Sequence, residues 1–456
     1  MKISKNDILT LRVLELNNLG FGVARQDGFV VFVDGAVTGE LVLAKVIKVA
    51  SSYAVAKAEE ILEPSEHRTD SRCHVGACKS CAYKHISYEE EKRQKAENVA
   101  AEFKKAGLAV AVNPLLSSER TSGYRNKAQF PVAKAKDGRY IIGFYAPKSH
   151  RVTEAADCPL APDVFTDIAE HLRTFFEKHA TPAYDEESGA GLIRHIYLRR
   201  GEVSGEVLLT LVVKNADFPH SDELVSEIRE AFPSVVGILL NVNPDRTNVI
   251  LGKKFITLWG RDFIYDTLAG VRLKISAPAF YQVNHSGAEI LYAKAKELAA
   301  PTKDDTLLDL YCGAGSIGLS MARDAGYVIG VEIVDAAVEC ARENARDNGI
   351  SNAAFFTADA KDTENLLSNV KMPNGAQVRP DVIILDPPRA GCDERLISYV
   401  ASLSAKRIVY ISCNPATQAR DSAIFARLGY AIGDVTPVDM FPGTGHVETI
   451  VCLCKQ

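Results

Sequence analysis

The segment LLDLYCGAGSIGL, residues 307–319, decides the fold of the C-terminal part of this chain. Its apolar start predicts a buried strand, its three glycines predict a tight turn, and its end predicts the first turn of a helix. Glycines let a ligand approach the backbone closely, and a helix N-terminus offers it free N–H groups. Seventeen residues after Gly315, the run YVIGVEI carries Glu332 at the end of a second predicted strand, the position of a ribose-binding acid in nucleotide sites. The pattern favours a nucleotide-like cofactor over an ordinary tight turn beside a surface glutamate.

Predicted strands and helices alternate from about residue 276 to the C-terminus. This alternation indicates an α/β fold with a doubly wound parallel sheet, the Rossmann-like architecture. The predicted strands are 306–310, 327–332, 353–357, 381–385, 406–411, 430–438 and 447–454, and the predicted helices are 284–299, 316–325, 335–348, 393–401 and 415–427.

The chain before residue 276 divides into two further predicted domains. Residues 1–63 show short strands separated by glycines, which is typical of a small OB-like β-barrel. Residues 64–275 predict a mostly antiparallel α+β domain with one helix near 220–231 and another at 87–107. Ser87 and Glu90 form a capping box for the latter helix, and its mixed charges predict a solvated face. The third domain is 276–456.

Three further polar residues follow predicted strands of the C-terminal domain. They are Asp359 in FFTADAKD, Asp386 in DVIILDPPRAG and Cys413 in IVYISCNPAT. Ligands of open α/β sheets bind at these strand ends, and two prolines hold Asp386 in a rigid turn. The first turn matches GxGxxG formally, but the strand-tip DPPR and the cysteine favour S-adenosylmethionine over NAD.

A cysteine at this position suits methyl transfer to carbon 5 of a pyrimidine. Carbon 5 is a poor nucleophile until a thiolate adds at C6, and a base must later remove the C5 proton. Cys413 is the candidate nucleophile, and Glu448 in GHVETIVCL is the candidate base, with His446 as its rival. The alternative for Cys413 is a small buried core residue.

A second group of cysteines lies in CHVGACKSC, which contains Cys73, Cys78 and Cys81. Three cysteines in nine residues of a reduced protein indicate a metal, and Cys158 in EAADCPL is the candidate fourth ligand. Four thiolates suit an iron–sulfur cluster or structural zinc. A trio of reduced thiols in a loop is the alternative.

The charge distribution fits a nucleic-acid partner. The net charge is −5, yet residues 61–160 carry 17 Lys and Arg against 12 Asp and Glu, which is +5. In YRNKAQF, Tyr124, Arg125, Lys127 and Phe130 are candidate RNA contacts, and a solvent-facing strand explains them equally well. The sequence shows neither a membrane-spanning run nor a signal peptide, so we expect a cytoplasmic protein, and we expect a monomer.

Taken together, these motifs resemble the RNA uracil-C5 methyltransferase family. GFGVARQDGFVVFVDGAVTGE resembles the TRAM domain, an RNA-binding OB-like module. The cysteine cluster, YRNKAQF, GFYAPKSHRV, FYQVN, DLYCGAG, DPPRAG, SCNP and HVETI complete the resemblance in family order. The chain departs from the family by one residue fewer between the first two cluster cysteines, and by Lys79 and Ser80 where Gly-Gly is usual.

The resemblance implies a function for each motif. Cys413 is then the nucleophile, and Glu448 is the base. The pocket for S-adenosylmethionine and uracil is then lined by Gln282, Tyr311, Ser316, Glu332, Asp359 and Asp386. A [4Fe-4S] cluster is then held by Cys73, Cys78, Cys81 and Cys158.

A TRAM domain together with a cluster favours 23S ribosomal RNA as the substrate. Three other functions compete with this one. They are a transfer-RNA uracil methyltransferase, a non-catalytic RNA-binding relative, and an amino-group methyltransferase. In the last, Arg389 would replace the usual aromatic residue after Pro-Pro and Cys413 would have no function.

Overall fold

The computed structural model of the protein describes residues 3–71, 73–76 and 78–456. Its N-terminal sheet has the strand order β1-β5-β6-β4-β3-β2. The sheet curls so that β1 and β3, which are not neighbours in this order, come together. The backbone N–H of Leu14, just after β1, donates to the carbonyl of Val23 in β3 at 2.8 Å. Small apolar side chains fill its interior. The strands are β1 (Ile8–Arg12), β2 (Glu15–Leu16), β3 (Gly22–Gln26), β4 (Phe29–Asp34), β5 (Leu41–Val49) and β6 (Tyr53–Glu63).

Helix α1 (Tyr88–Lys105) follows the cysteine loop and starts as predicted. The Ser87 side chain accepts the backbone N–H of Glu90, and Gly107 takes the left-handed conformation just after the helix. The prediction of a solvated charged face holds for one side of the helix, where Glu89, Arg93 and Glu97 are exposed, and fails for the other. The charged and amide side chains on that other side of the helix are buried: Glu90, Glu91, Gln94 and Lys95.

The central sheet has the order β13-β12-β11-β10-β7-β8-β9 and is antiparallel except between β11 and β12, as expected for a mostly antiparallel domain. Helices α2 and α3 cover its outer face. Its elements are β7 (Lys127–Lys134), β8 (Tyr140–Tyr145), β9 (Val152–Glu154), α2 (Asp163–Lys178), β10 (Ile193–Arg200), β11 (Val207–Val213), α3 (Ser221–Ala231), β12 (Val235–Val242) and β13 (Lys254–Gly260).

Helix α2 is missing from the sequence prediction, which placed one helix in residues 120–275. Its buried positions Phe165, Ile168, Leu172 and Phe176 recur every three or four residues, so the helical period is present in the sequence. The inner face of the sheet packs on the hairpin β14 (Phe263–Leu268) and β15 (Val271–Ser276).

The C-terminal sheet has the order β18-β17-β16-β19-β20-β23-β21, with β22 paired to β23. The five strands β16 to β20 are parallel and β23 is antiparallel to β20. Its strands are β16 (Thr306–Leu310), β17 (Tyr327–Glu332), β18 (Ala353–Thr357), β19 (Val382–Leu385), β20 (Arg407–Ser412), β21 (Tyr430–Ile432), β22 (Thr436–Val438) and β23 (Glu448–Lys455). Its helices are α4 (His285–Ala299), α5 (Ser316–Met321), α6 (Asp335–Asp347), α7 (Thr363–Asn369), α8 (Glu394–Ser402) and α9 (Pro415–Arg427).

The Rossmann-like α/β fold predicted from the sequence is confirmed. The prediction of a parallel sheet holds for β16 to β20, whereas β23 is antiparallel to β20, β21 and β22. There are three further local differences. The predicted strand 430–438 is split into β21 and β22, helix α5 ends at Met321, and α7 was not predicted. In the part of the chain that the structure describes, none of the helices combines the length and apolarity needed to cross a bilayer.

Candidate active site

A cavity of about 830 Å³ opens at the carboxyl ends of the parallel strands, where open α/β sheets bind ligands. It brings together residues that lie far apart in the sequence. Seven of the eight residues predicted for catalysis and cofactor binding line it: Gln282, Tyr311, Glu332, Asp359, Asp386, Cys413 and Glu448. Ser316 is not among the lining residues, and its hydroxyl is hydrogen-bonded to the Tyr292 hydroxyl at 2.7 Å.

The turn between β16 and α5 is held in an unusual backbone conformation. Tyr311 has φ = +65°, a region that residues with a side chain rarely adopt, and Gly315 has φ = +78°. A Cβ on Gly315 would lie 2.9 Å from the Phe355 ring, so only glycine fits. The Glu332 carboxylate accepts the backbone N–H groups of Gly313 and Val334 at 3.2 and 2.9 Å. These bonds fix the acid beside the turn.

Two further carboxyl groups near the turn are desolvated. Burial raises the pKa of Asp386 to about 7. Burial also raises the pKa of Asp309 to about 7, with one carboxylate oxygen accepting the Gly318 N–H at 2.9 Å and the other lacking a partner among the described residues. Asp309 was missed as a site residue, although it stands in the quoted DLYCGAG motif. It supports the start of α5 from inside the sheet.

Cys413 and Glu448 meet at the end of the β20–β23 ladder. Ser412 pairs with Thr449, so the next pair along the antiparallel register is Cys413 opposite Glu448. Burial raises the pKa of Glu448 to about 8, with a further contribution from Asp386. Burial and the neighbouring Glu448 raise the pKa of the Cys413 thiol, while Arg389 opposes both shifts. The arrangement is a buried acid and a half-buried thiol beside one cation.

His446, the rival base, lines the same cavity but is largely exposed. Partial burial of its ring, with the cations Arg389, Lys95 and Arg125, lowers its pKa. A lowered pKa makes the imidazole a weaker base than the ionised Glu448 carboxylate. The comparison favours Glu448 for proton removal.

The four cysteines of the predicted cluster also lie near one another. Burial raises the pKa of Cys81 to about 12, and the neighbouring Cys158, Cys73 and Cys78 add to this shift. Among the described residues, no three of these sulfur atoms lie within 4.8 Å of one another. One tetrahedral ion with bonds of about 2.3 Å would hold its sulfurs about 3.8 Å apart. Four thiols brought together in this way suit either an iron–sulfur cluster or a zinc ion.

Two family models match this chain, and together they cover most of it. The tRNA (Uracil-5-)-methyltransferase model matches residues 85–456, and the TRAM domain model matches residues 5–58. The chain belongs to the tRNA (uracil-5-)-methyltransferase family. It is therefore an S-adenosylmethionine-dependent RNA (uracil-5-)-methyltransferase with a TRAM domain, and the family predicted from the motifs is confirmed.

Relatives of the family support this assignment over the full chain. An uncharacterized RNA methyltransferase of Halalkalibacterium halodurans is 39% identical over 99% of this chain and 98% of the relative. Another, of Oceanobacillus iheyensis, is 40% identical over 98% and 96%. Among solved structures, the Pyrococcus abyssi tRNA (uracil-54, C5)-methyltransferase in complex with S-adenosyl-L-homocysteine superposes with a TM-score of 0.77. It is 26% identical and covers 97% of this chain and 99% of its own.

Proposed function

We propose that this family member methylates carbon 5 of a uridine in 23S ribosomal RNA, with Cys413 as nucleophile and Glu448 as base. The observation that carries the mechanism is their position opposite each other, across the β20–β23 register, inside one cavity. Methylation of a nitrogen atom needs neither a cysteine nucleophile nor a base at C5. A non-catalytic RNA-binding relative would have no use for Cys413 or Glu448.

The reaction begins when the Cys413 thiolate forms a bond to C6 of the uracil ring. The electrons of the C5–C6 double bond move toward C5 and the O4 carbonyl, so that C5 becomes nucleophilic. S-adenosylmethionine supplies the methyl group that C5 takes. Glu448 then removes the proton remaining on C5, the double bond re-forms, and the Cys413 sulfur leaves as a thiolate.

The electrostatics of the pair suit these two roles at different moments. Arg389 favours the charged forms of both Cys413 and Glu448. The raised pKa of Glu448, about 8, makes its carboxylate a stronger base than an ordinary glutamate. Mutual repulsion of the two anions favours one negative charge at a time.

The cofactor pocket follows from the strand ends. We propose that Glu332 binds the ribose hydroxyls, Asp359 meets the adenine amino group, and Asp386 lies between methionine and uracil. Both acids line the cavity, and backbone N–H groups hold each carboxylate in place, those of Gly313 and Val334 on Glu332 and that of Lys361 on Asp359. Gln282 and Tyr311 complete the wall, and Ser316 acts from behind it through its bond to Tyr292.

We propose a [4Fe-4S] cluster on Cys73, Cys78, Cys81 and Cys158, with a structural or RNA-positioning role since methyl transfer needs no redox step. The grouping of the other three thiols around Cys81 supports a cluster. We also propose a cytoplasmic monomer with domains 1–63, 64–275 and 276–456. The end of β6 at Glu63 and of β15 at Ser276 supports these limits.

Two RNA classes compete as substrate. The TRAM domain with a cysteine quartet favours 23S ribosomal RNA, whereas the superposition on a tRNA (uracil-54, C5)-methyltransferase over 97% of the chain favours transfer RNA. The test is methyl transfer from labelled S-adenosylmethionine to unmodified transcripts of each. We expect label in 5-methyluridine of 23S RNA. Label in transfer RNA alone would contradict the ribosomal assignment, and label in neither would contradict both.

A further inference from the structure

The inner face of the central sheet carries buried polar side chains to which catalysis assigns no role. His195, Tyr197 and Arg199 alternate along β10 and therefore point to the same face. The Tyr197 hydroxyl and the Arg199 guanidinium both donate to the Ala277 carbonyl, at 2.7 and 2.9 Å. The Arg199 guanidinium also donates to the Ala279 carbonyl. Residues 280–283, which follow directly in the chain, line the catalytic cavity, so this face lies next to that cavity.

A second cavity of about 490 Å³ opens on the same face. Its inner wall is aromatic: the Tyr145 and His195 rings stand edge to face with centroids 6.1 Å apart, and the His150 ring stands 5.7 Å from Tyr145. Exposed Lys148 and His150 form its rim. The acid in the lining, Glu186, is held by Arg194 at 3.2 Å.

The buried His195 ring in this cavity is neutral and incompletely hydrogen-bonded, although its Nε2 atom lies 3.5 Å from the Tyr145 hydroxyl. Burial, and then Arg194, lowers the pKa of His195 to about 3, so the ring carries no charge at neutral pH. Its Nδ1 atom is buried and lacks a hydrogen-bond partner within the described residues. The interior therefore suits a flat, uncharged aromatic group that has hydrogen-bonding edges.

Between the two cavities lies a set of cations without acids. Lys127 pairs in register with Arg199, and Arg125 is nearby. Burial and these two arginines lower the pKa of Lys127 to about 8. Among the described residues, no carboxylate forms an ion pair with any of the three. Arg199 is buried and donates to backbone carbonyls, and Arg125 lies beside the proposed cluster cysteines. Half-buried Lys127 is therefore the cation that a phosphate would reach.

We propose that this face, formed by β7, β8 and β10, binds the RNA strand next to the target uridine, with a phosphate at Lys127 and one base in the Tyr145 cavity. His195 lies four residues from Arg199, about 13 Å along the strand at about 3.3 Å per residue. The cavity therefore stands beside the catalytic one rather than inside it. The inference rests on the RNA substrate of the proposed function.

The test measures dissociation constants and their salt dependence for the full-length, cluster-loaded protein. The probes are the unmodified 23S transcript and, in parallel, unmodified transfer-RNA transcripts. For the RNA that binds more tightly, we expect Tyr145→Ala to raise the dissociation constant roughly 5- to 100-fold, as for one lost base–aromatic stack, and Tyr145→Phe to restore binding. Lys127→Gln should reduce the slope of log Kd against log salt by about 0.7, whereas Lys136→Gln, in the exposed β7–β8 turn, should not.

Unchanged binding in Tyr145→Ala, or an equal salt slope in Lys127→Gln and Lys136→Gln, would overturn the inference. A folding defect would show as weakened binding in Tyr145→Phe as well, and that result would also count against the stacking role. Binding is measured without methyl transfer. Failure of the wild-type protein to methylate either RNA would therefore reject the proposed function. The comparison of RNA binding between the variants and the wild-type protein would still stand.

Discussion

Cys413 and Cys81 are both thiols whose pKa is raised by burial, yet their surroundings differ completely. Cys413 stands opposite one carboxyl group, Glu448, with Arg389 beside it. Cys81 stands among three further thiols, with Arg125 beside it. An isolated thiol paired with a base suits reversible bond formation to carbon, whereas a group of thiols suits a metal cluster. The partners of a cysteine, rather than its burial, indicate its chemistry.

The largest expected effect distinguishes Glu448, the proposed base, from its rival His446. Glu448→Gln should lower methylation turnover roughly 10²- to 10⁴-fold, the range for losing a general base. Because the C5 proton then stays on the ring, the methylated uridine should remain bonded to Cys413. A denaturant-stable adduct with ordinary RNA should accumulate. His446→Gln should leave turnover within about tenfold. Turnover lost in His446→Gln and kept in Glu448→Gln would reverse the assignment.

A buried charge network joins helix α1, which follows the cysteine loop, to the loop that precedes Glu448. Lys95 of α1, just beyond the cysteine loop, donates to Glu91 and Asp439 at 2.6 and 2.8 Å and to the Phe441 carbonyl at 3.2 Å. Glu91 in turn accepts the N–H of Gly443, in the loop that leads to Glu448.

Lys95→Met should destabilise the fold by about 3–5 kcal/mol, because it leaves buried carboxylates without a cation. Thermal unfolding measures the change, and Lys105→Met, at an exposed pair on the same helix, is the matched control. In the folded fraction, kcat should fall more than KM rises, since the network holds the wall of the catalytic cavity. Equal melting temperatures for the two variants would show that the network contributes little.

The cysteine quartet is tested by comparing the loss of one thiol inside the quartet with the loss of an exposed thiol elsewhere in the chain. Cys81→Ser should lose the iron and sulfide of the cluster, about four of each per chain. Cys454→Ser, at an exposed position on β23, should lose none. Metal analysis and visible absorption measure the difference. We expect Cys81→Ser to retain methylation within about tenfold if its fold is intact. Full metal content in Cys81→Ser would contradict the cluster assignment.

The smallest effect is the pH dependence of the intact enzyme. With a pKa of about 8, Glu448 is roughly one-tenth ionised at pH 7 and nine-tenths ionised at pH 9. The ionised form is the base, and the Cys413 thiolate also increases with pH. Turnover at saturating substrates, which includes proton removal by Glu448, should therefore rise at least about tenfold between pH 7 and 9. A rate that falls over this range would contradict a carboxylate base.

The catalytic site could be predicted from sequence because its parts obey local rules. Buried parallel strands read as apolar runs, and the polar residue after each run marks the edge where ligands bind. For this reason Asp386 and Cys413 were placed correctly at strand ends. Their distance in sequence from Glu448 does not matter, since β23 lies beside β20.

Other features depend on long-range packing and could not be read locally. The charges of α1 look solvated until Asp439, more than 340 residues away, is brought against Lys95. Tyr124 and Phe130, candidates for RNA contact, are buried in the structure, whereas Lys127 of the same motif reaches the inner face of the sheet. The alternation of side chains along a strand does not show which of its two faces is covered by packing and which faces a cavity. Helix α2 differs from these features, because its helical periodicity is present in the local sequence and could have been recognised there.

The most direct test of the central claim is a trapping experiment with RNA that carries 5-fluorouracil. Fluorine at C5 cannot leave as a proton, so the bond between Cys413 and C6 should persist after methyl transfer. With S-adenosylmethionine present, the wild-type protein should form a denaturant-stable adduct whose peptide contains Cys413, and Cys413→Ala should form none. An adduct that survives in Cys413→Ala, or ordinary methylation of uridine C5 by that variant, would contradict the account.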